Sequence, residues 1–282
     1  MKKPGFLSLK AHAKINLYLG VGKKRSDGFH DICSLMQEIS VADDMKVLLN
    51  DTDSCSLRVF GANIGDDNSV FSAYNAFRNY TKLDVGLEVS LLKNIPLGSG
   101  LGGASSDAAS LILAMDALLG TKLSYSELLS IALEVGSDVP FFLKGGTARV
   151  EGRGEKVAPF ESFFSDFVGI LVFPGFASYT AEAYALLDAS RKAEADDVPS
   201  LEGVDLFNKV PFNSFEAPLF ERYPKLREIK DVFLAFAANF ALMSGSGSSV
   251  YGLFSSWKCA KEAWDYISNK WDKCSFFIPI EK

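Results

Sequence analysis

The chain has 282 residues, 48% of them hydrophobic, and its 35 acidic and 29 basic side chains leave a net charge of −6. That length admits one large domain or two ordinary ones, and that composition is enough to bury a full core. No basic stripe suits nucleic acid and no apolar run is long enough to span a bilayer, so neither nucleic acid nor membrane is expected as a partner.

The start, Met1-Lys2-Lys3-Pro4-Gly5, carries the charge of a secretion signal, but Lys10, His12 and Lys14 interrupt the apolar stretch a signal needs. Cys33, Cys55, Cys259 and Cys274 lack metal-ligand spacing and read as reduced thiols of a cytoplasmic protein. Two histidines, His12 and His30, do not make a zinc or haem site unaided.

Leu7, Leu9 and Ala11 alternate with polar neighbours, and the alternation runs on through Leu19, which predicts a strand. Lys14, Asn16 and Tyr18 then share one face. On composition alone that face is the solvated one. Lys23–Gly28 is a turn, with Asp27-Gly28 its strongest signal. Phe29 and His30 stand at the mouth of a strand over Ile32–Ser40. An aromatic beside a histidine can stack on a ring and hydrogen-bond its edge; a packed Phe with a surface His is the commoner arrangement. Met45–Leu49 and Ser54–Phe60 predict a hairpin across Asn50–Asp53. Asn68 caps a helix bearing Val70, Phe71, Tyr74 and Phe77 on one face. Gly86–Leu92 is a further strand.

It feeds the stretch Pro96-Leu97-Gly98-Ser99-Gly100-Leu101-Gly102-Gly103-Ala104-Ser105-Ser106. Glycines let backbone N–H groups converge on an anion. A helix starting at Ser105 or Ser106 would add its unpaired N–H groups and the positive end of its dipole. The pattern is that of a phosphate loop, against the plain alternative of a flexible link before a core helix. It lacks the Walker lysine, since Ala104 follows Gly103. It also fails as a dinucleotide fingerprint: Pro96 separates strand from glycines, and the nearest candidate for the acid expected about 20 residues on, Asp116, lies inside the helical run. Protein-kinase companion motifs are absent. The helix behind the loop is apolar nearly all round and ends at Gly120. Ser124 and Glu127 form a capping box for a helix closed by Gly136. Asp138 follows, before Val139-Pro140-Phe141-Phe142. It is either the cap of the next turn or a carboxylate in a dry setting, and spacing leaves both open. Thr147–Val150 is a short strand.

In the second half, Phe167–Phe173 reads as a strand, Tyr179–Ser190 as a helix and Arg191–Pro199 as a polar surface loop. Phe215–Phe220 and Lys225–Ala238 are helical, Phe240–Met243 and Val250–Phe254 are strands, Ser256–Trp271 is a helix and Ser275–Ile280 a closing strand. Strand, helix, strand, strand, helix, strand, with a helical insert, is the split-βαβ pattern of ferredoxin-like domains. Ser244-Gly245-Ser246-Gly247-Ser248-Ser249 is a hairpin loop or a second anion nest.

Ala13-Lys14-Ile15-Asn16, the loop Pro96–Ser106 and Met243-Ser244-Gly245-Ser246-Gly247-Ser248-Ser249 together resemble the three motifs of the GHMP small-molecule kinases. Arg25-x-Asp27-Gly28-Phe29-His30, Gly136-Ser137-Asp138-Val139-Pro140-Phe141-Phe142 and Asn213-x-Phe215-Glu216 extend the resemblance to the branch whose acceptor is a cytidine diphosphate-linked methylerythritol. The resemblance implies an α+β two-domain GHMP kinase fold: a ribosomal-protein-S5-domain-2-like, ATP-binding domain over residues 1–157 and a ferredoxin-like split βαβ domain over 158–282. It implies transfer of the γ-phosphate of ATP, with Mg²⁺, to the 2-hydroxyl of that alcohol in non-mevalonate isoprenoid synthesis. Asp138 is then the catalytic base and Lys14 its partner. Residues 96–106 hold the triphosphate, and Asn68 and Lys93 match positions near the adenine, although both residue types are also ordinary on a surface. Phe29 (tyrosine is usual there), His30 and Tyr184 match the cytosine contacts; Asn16 and Thr180 lie beside the substrate. Asp107 stands where asparagine is common, and an acid there is unfavourable beside phosphates unless magnesium intervenes; Ser106 and Asp107 are its nearest candidates, and no ligand is assigned. The expected state is a monomer or weak homodimer, and whether Asp196–Val204 orders over substrate is open. The rival readings are a mevalonate, homoserine or sugar kinase of the same family, and an inactive metabolite sensor of that fold, against which the retention of Lys14 and Asp138 speaks. A nicotinamide oxidoreductase is disfavoured by Pro96.

Overall fold

The computed structural model describes residues 5–65, 68–162, 164–191 and 211–282; the stretch Asp196–Val204 lies outside the described residues. Among the described residues no helix is long and apolar enough to cross a membrane. In chain order the elements are β1 (Phe6–Lys24), β2 (His30–Asn50), β3 (Cys55–Phe60), α1 (Ser69–Thr81), β4 (Gly86–Leu92), α2 (Gly103–Leu119), α3 (Tyr125–Val135), α4 (Val139–Lys144), β5 (Thr147–Gly152), β6 (Lys156–Pro159) and β7 (Val168–Val172). They continue with α5 (Thr180–Ser190), β8 (Phe212–Asn213), α6 (Glu216–Arg222), α7 (Pro224–Ala235), β9 (Phe240–Met243), β10 (Val250–Phe254), α8 (Trp257–Lys270) and β11 (Cys274–Phe277).

The chain forms two compact units that interleave along the sequence. The first comprises Met1–Ala13, Val41–Leu97 and Gly102–Gly145. Its sheet runs β3-β4-β2-β1 and uses the start of β1 and the end of β2. β4 is antiparallel to β2 over Asp44–Asn50, and β3 lies parallel to β4. The predicted hairpin between residues 45–49 and 54–60 is therefore a correction: β4 inserts between them. Leu87, Val89 and Leu91 of β4 are fully buried, one face of a period-2 pattern. Asn68 caps α1 as expected, accepting from the Val70 and Phe71 N–H groups. The Ser124–Glu127 capping box of α3 is complete. α2 packs against α1, α3 and α4 and ends at Gly120 in the left-handed region. Asp116 accepts from Thr121 Oγ1 and Leu123 N, so this carboxylate organises the α2–α3 turn.

The second unit comprises Lys14–Ser40, Gly98–Leu101 and Gly146–Lys282. β5 pairs antiparallel with β2 over Ile32–Gln37, β6 pairs with β5, and β8 runs parallel to β1 at Tyr18 and Leu19. A separate antiparallel sheet has the order β11-β7-β10-β9, the strand order of the expected split βαβ. α7 packs on β9 and β10, and α8 on β7 and β10. Every residue of β10 is buried. Tyr251 there is fully buried and donates its hydroxyl to Asn16 O at 2.8 Å. Burial pushes that phenol well above its ordinary pKa, so it remains a donor.

Candidate active site

Lys14 and Asn16 are 3% and 1% exposed, which overturns the solvated face expected for them. The reason is that β1 is covered on both faces from Ala13 to Val21. A lysine held in such a setting needs partners. Lys14 Nζ donates to Asn16 Oδ1 at 2.6 Å, Asn16 Nδ2 donates to Ser34 Oγ at 2.8 Å, and Ser34 Oγ donates to Tyr18 O at 2.7 Å.

The turn before β2 is knitted by charge. Arg25 bridges Asp27 and Asp31, and Asp27 Oδ1 accepts the Phe29 N–H. The Phe29 ring is 46% exposed, with the Arg153 guanidinium 3.7 Å over it. His30 is not the surface residue that composition favours: it is 7% exposed. Its ring stacks on Tyr184 (centroids 4.6 Å, 26° between planes), and its Nε2 pairs with Asp188 Oδ1 at 2.9 Å. Thr180 Oγ1 lies 3.2 Å from Ser246 Oγ, at the edge of the late Ser/Gly turn.

In the glycine loop, four consecutive carbonyls are occupied within the second unit. Gly98 O accepts from Ser178 N, Ser99 O from Ser249 N, Gly100 O from Ser244 Oγ and Leu101 O from Lys14 N. None of these bonds uses a loop N–H. Gly100 has φ +77°, and a Cβ there would run into Ser244 O and Gly247 O, so no other residue fits. The 244–249 segment is thus a hairpin loop between β9 and β10 that also presses on residues 98–101.

In the first unit, α2 starts at Gly103, ahead of the expected start at Ser105 or Ser106. Gly102 is a left-handed N-cap without a side-chain capping bond, and Ser106 N donates to Gly102 O at 2.9 Å. The N–H groups of Gly103, Ala104 and Ser105 precede that first bond and have no intrahelical acceptor, the arrangement that receives an anion. Ser106 is buried. Pro96 and Leu97 join β4 to the loop.

Beneath this start lies a cluster that sequence reasoning missed. Lys93 is buried and donates to Asp43 Oδ2 and, at 2.6 Å, to Asp107 Oδ2. Asp43 Oδ1 accepts the Asn94 and Ile95 N–H groups at 2.6 and 2.8 Å. Lys93 is therefore no surface lysine, and Asp107 is turned to an ammonium. Asp107 Oδ1 is buried without a hydrogen-bond partner. Burial first, then the Asp43 charge, raises its carboxyl to about 7 against the opposing pull of Lys93. The available signal was Asp43-Asp44 breaking the alternation of an apolar strand. Asn68 spends Oδ1 on capping α1 and donates Nδ2 to Gly65 O at 2.7 Å. Asp138 is half-buried and occupies the N-cap position of α4, with Pro140 near the start as the cap reading has it, but its side chain makes no capping bond.

Among the described residues no three His, Cys, Asp or Glu side chains gather as a metal cage. Asp107, the nearest acid to the loop, is committed to Lys93.

The GHMP kinase N-terminal domain family matches residues 68–146, and the GHMP kinase C-terminal family matches 201–273. A protein of Treponema pallidum described as 4-diphosphocytidyl-2-C-methyl-D-erythritol kinase is 38% identical, over 95% of this chain and 97% of its own. A crystal structure of a 4-(cytidine 5'-diphospho)-2C-methyl-D-erythritol kinase superposes with a TM-score of 0.80 at 30% identity, covering 98% of this chain and 100% of that one. A homoserine kinase from Cytophaga hutchinsonii reaches 0.78 at 18% identity, over 100% of this chain and 97% of its own, a likeness of fold alone.

Proposed function

This chain belongs to the 4-diphosphocytidyl-2-C-methyl-D-erythritol kinase family of GHMP kinases, and we propose on that premise that it transfers the γ-phosphate of ATP to the 2-hydroxyl of 4-diphosphocytidyl-2-C-methyl-D-erythritol. That is a step of the methylerythritol phosphate route to isoprenoids, and the enzyme works in the cytoplasm. The observation that carries the reading is the buried His30 stacked on Tyr184 and paired with Asp188. Beside exposed Phe29, it is an apparatus for a flat, hydrogen-bonding ring. Mevalonate, homoserine and sugars have no such ring.

In the proposed reaction the acceptor oxygen attacks the γ-phosphorus, the bond to the β–γ bridging oxygen breaks, and ADP leaves. Asp138 accepts the proton of the attacking hydroxyl. Lys14 offsets the charge gathering on the transferred group. The glycine loop, residues 96–106, and the uncapped start of α2 hold the triphosphate through backbone N–H groups. Magnesium would supply positive charge against the triphosphate and the developing transition state; among the described residues no cluster of three acids, histidines or cysteines would hold it, and Asp107 is committed to Lys93. Asn16 and Thr180 complete the acceptor side; Asn68 and Lys93 act near the adenine by holding α1 and the loop. The division at residue 157 into an ATP-binding and a ferredoxin-like domain belongs to this reading, supported by family matches that fall on either side of it.

The test is ATP turnover with the cytidine-linked alcohol beside turnover with free 2-C-methyl-D-erythritol 4-phosphate and with mevalonate, each as sole acceptor. A marked preference for the cytidine compound is expected. Equal rates on all three would remove the substrate assignment and leave a GHMP kinase of other specificity.

A further inference from the structure

The segment Asn213-Ser214-Phe215-Glu216 takes no part in the chemistry above, yet it grips the second unit at several points. Asn213 is 3% exposed. Its Nδ2 donates to Met243 O and to Gly245 O, both at 2.8 Å, and its Oδ1 accepts the Phe215 N–H at 2.9 Å. Glu216 Oε1 accepts the Met243 N–H at 2.9 Å, and its Oε2 accepts from Lys230 Nζ at 2.6 Å. Met243 ends β9. Both its backbone polar groups are therefore bound by side chains from one short segment. The same segment is anchored to the strand that carries Lys14: Asn213 pairs with Leu19, and Ser214 N donates to Leu19 O.

What this grip holds is the 244–249 turn. A Cβ at Gly245 would lie 2.9 Å from Gly100 O and 3.2 Å from Lys14 Nζ, so the turn packs directly on the glycine loop and on the ammonium. Phe215 looks the other way. Its buried ring meets Tyr184 edge-on, with centroids 4.9 Å apart at 87°, and Tyr184 stacks on His30. One tetrapeptide thus touches the ring-recognition stack and the turn beside Lys14. Packed interiors transmit small displacements because they have no slack.

We propose that Asn213, Phe215 and Glu216 are positioning residues for phosphoryl transfer: Asn213 and Glu216 hold the 244–249 turn against Gly100 and Lys14, and Phe215 couples that hold to occupancy of the Tyr184–His30 stack. The inference rests on the kinase reading above. Its consequence is that the cytidine end of the acceptor contributes to turnover as well as to affinity. Binding energy at a remote group then sharpens alignment at the reacting one.

The experiment compares the wild-type chain with Asn213→Ala and Phe215→Leu by steady-state kinetics, and by hydrogen exchange of the 244–249 amides without ligand. Asn213→Ala is expected to speed exchange in that turn and to lower kcat by about 10–100-fold, the cost of misaligned reacting groups, with KM for the cytidine-linked alcohol changed little. Phe215→Leu is expected to reduce the ratio of kcat on that alcohol to kcat on free 2-C-methyl-D-erythritol 4-phosphate. A lower melting temperature with kcat and turn exchange unchanged would make Asn213 merely structural and overturn the proposal. An unchanged kcat ratio in Phe215→Leu overturns the coupling. Asn213→Ser gives the same comparison if the alanine variant does not fold. If the wild-type chain phosphorylates neither alcohol, the kinase reading has failed, and exchange in the turn alone decides whether Asn213 holds it.

Discussion

At the scale of single residues, half-buried Asp138 and buried Asp107 divide by what surrounds them. Asp138 makes no capping bond, and its proposed work is proton transfer. Asp138→Asn is expected to lower kcat by roughly 10²–10⁴-fold while leaving ATP affinity near wild type, as read by single-turnover kinetics beside equilibrium binding. Lys14→Met is expected to act mainly on kcat; a change confined to KM would make Lys14 a binding residue. Asp107 has the opposite character. Its carboxyl is raised to about 7, above the ordinary value it regains on unfolding. Below pH about 4 both states hold the proton; from there to about pH 7 the unfolded chain loses it first, so stability falls as pH rises across that window and stays lowered above it. Asp107→Asn removes the titration and leaves Lys93 paired with Asp43. Thermal melts are expected to show the variant gaining on the wild type between pH 5 and pH 8, by about 2–4 °C for each kcal/mol recovered. A constant difference across that range would show that Asp107 does not titrate there. Only the Asp43-Asp44 break was legible beforehand, because Asp43, Lys93 and Asp107 meet through contacts between residues far apart in the sequence. Lys14, by contrast, was legible as a motif, although its burial was not.

At the scale of elements, local chemistry was the most legible part. The Ser124–Glu127 box, the Asn68 cap and the Gly120 stop each sit where residue type and spacing put them, since capping is decided within four residues. The pairing of β3 was not legible. Polar residues 50–53 resemble a hairpin loop, and nothing local tells that a strand thirty residues later will insert. The start of α2 was misplaced for a related reason: Gly103 and Ala104 look like loop, and only the left-handed Gly102 ends it. These two classes of element predict different failures. Ser124→Ala removes an exposed cap and is expected to cost about 0.5–2 kcal/mol of stability with kcat/KM unchanged. Gly100→Ala forces a left-handed alanine, at about 1–2 kcal/mol, and drives its methyl into the Ser244 and Gly247 carbonyls. Its expected signature is a raised KM for ATP out of proportion to any fall in melting temperature. Equal effects of the two substitutions on ATP binding would argue that the loop has no special part in holding nucleotide.

At the scale of the whole molecule, the proposed residues sort between the two units. Asn16, Phe29, His30, Thr180 and Tyr184 belong to the second, together with residues 98–101; Asn68, Lys93, residues 102–106 and Asp138 belong to the first. The ferredoxin-like order of the later strands was readable from element order alone. The membership of residues 14–40 in the same unit was not, because it follows from the pairing of β5 with β2 and of β8 with β1, which no local pattern announces. The sorting has a kinetic consequence. Tyr184 faces His30 on one side and Phe215 on another, all within the second unit. Tyr184→Ala removes an aromatic platform worth about 1–3 kcal/mol per stacked base, so KM for the cytidine-linked alcohol is expected to rise by roughly 5- to 150-fold. KM for ATP is expected to stay within about twofold, because the two rings that Tyr184 meets, His30 and Phe215, are not among the residues proposed to hold nucleotide. Free 2-C-methyl-D-erythritol 4-phosphate separates lost recognition from lost structure. It carries no ring, so its KM is indifferent to the platform, whereas a collapse of the second unit would weaken both alcohols alike. A parallel loss on the two acceptors would therefore reassign Tyr184 from substrate recognition to the core.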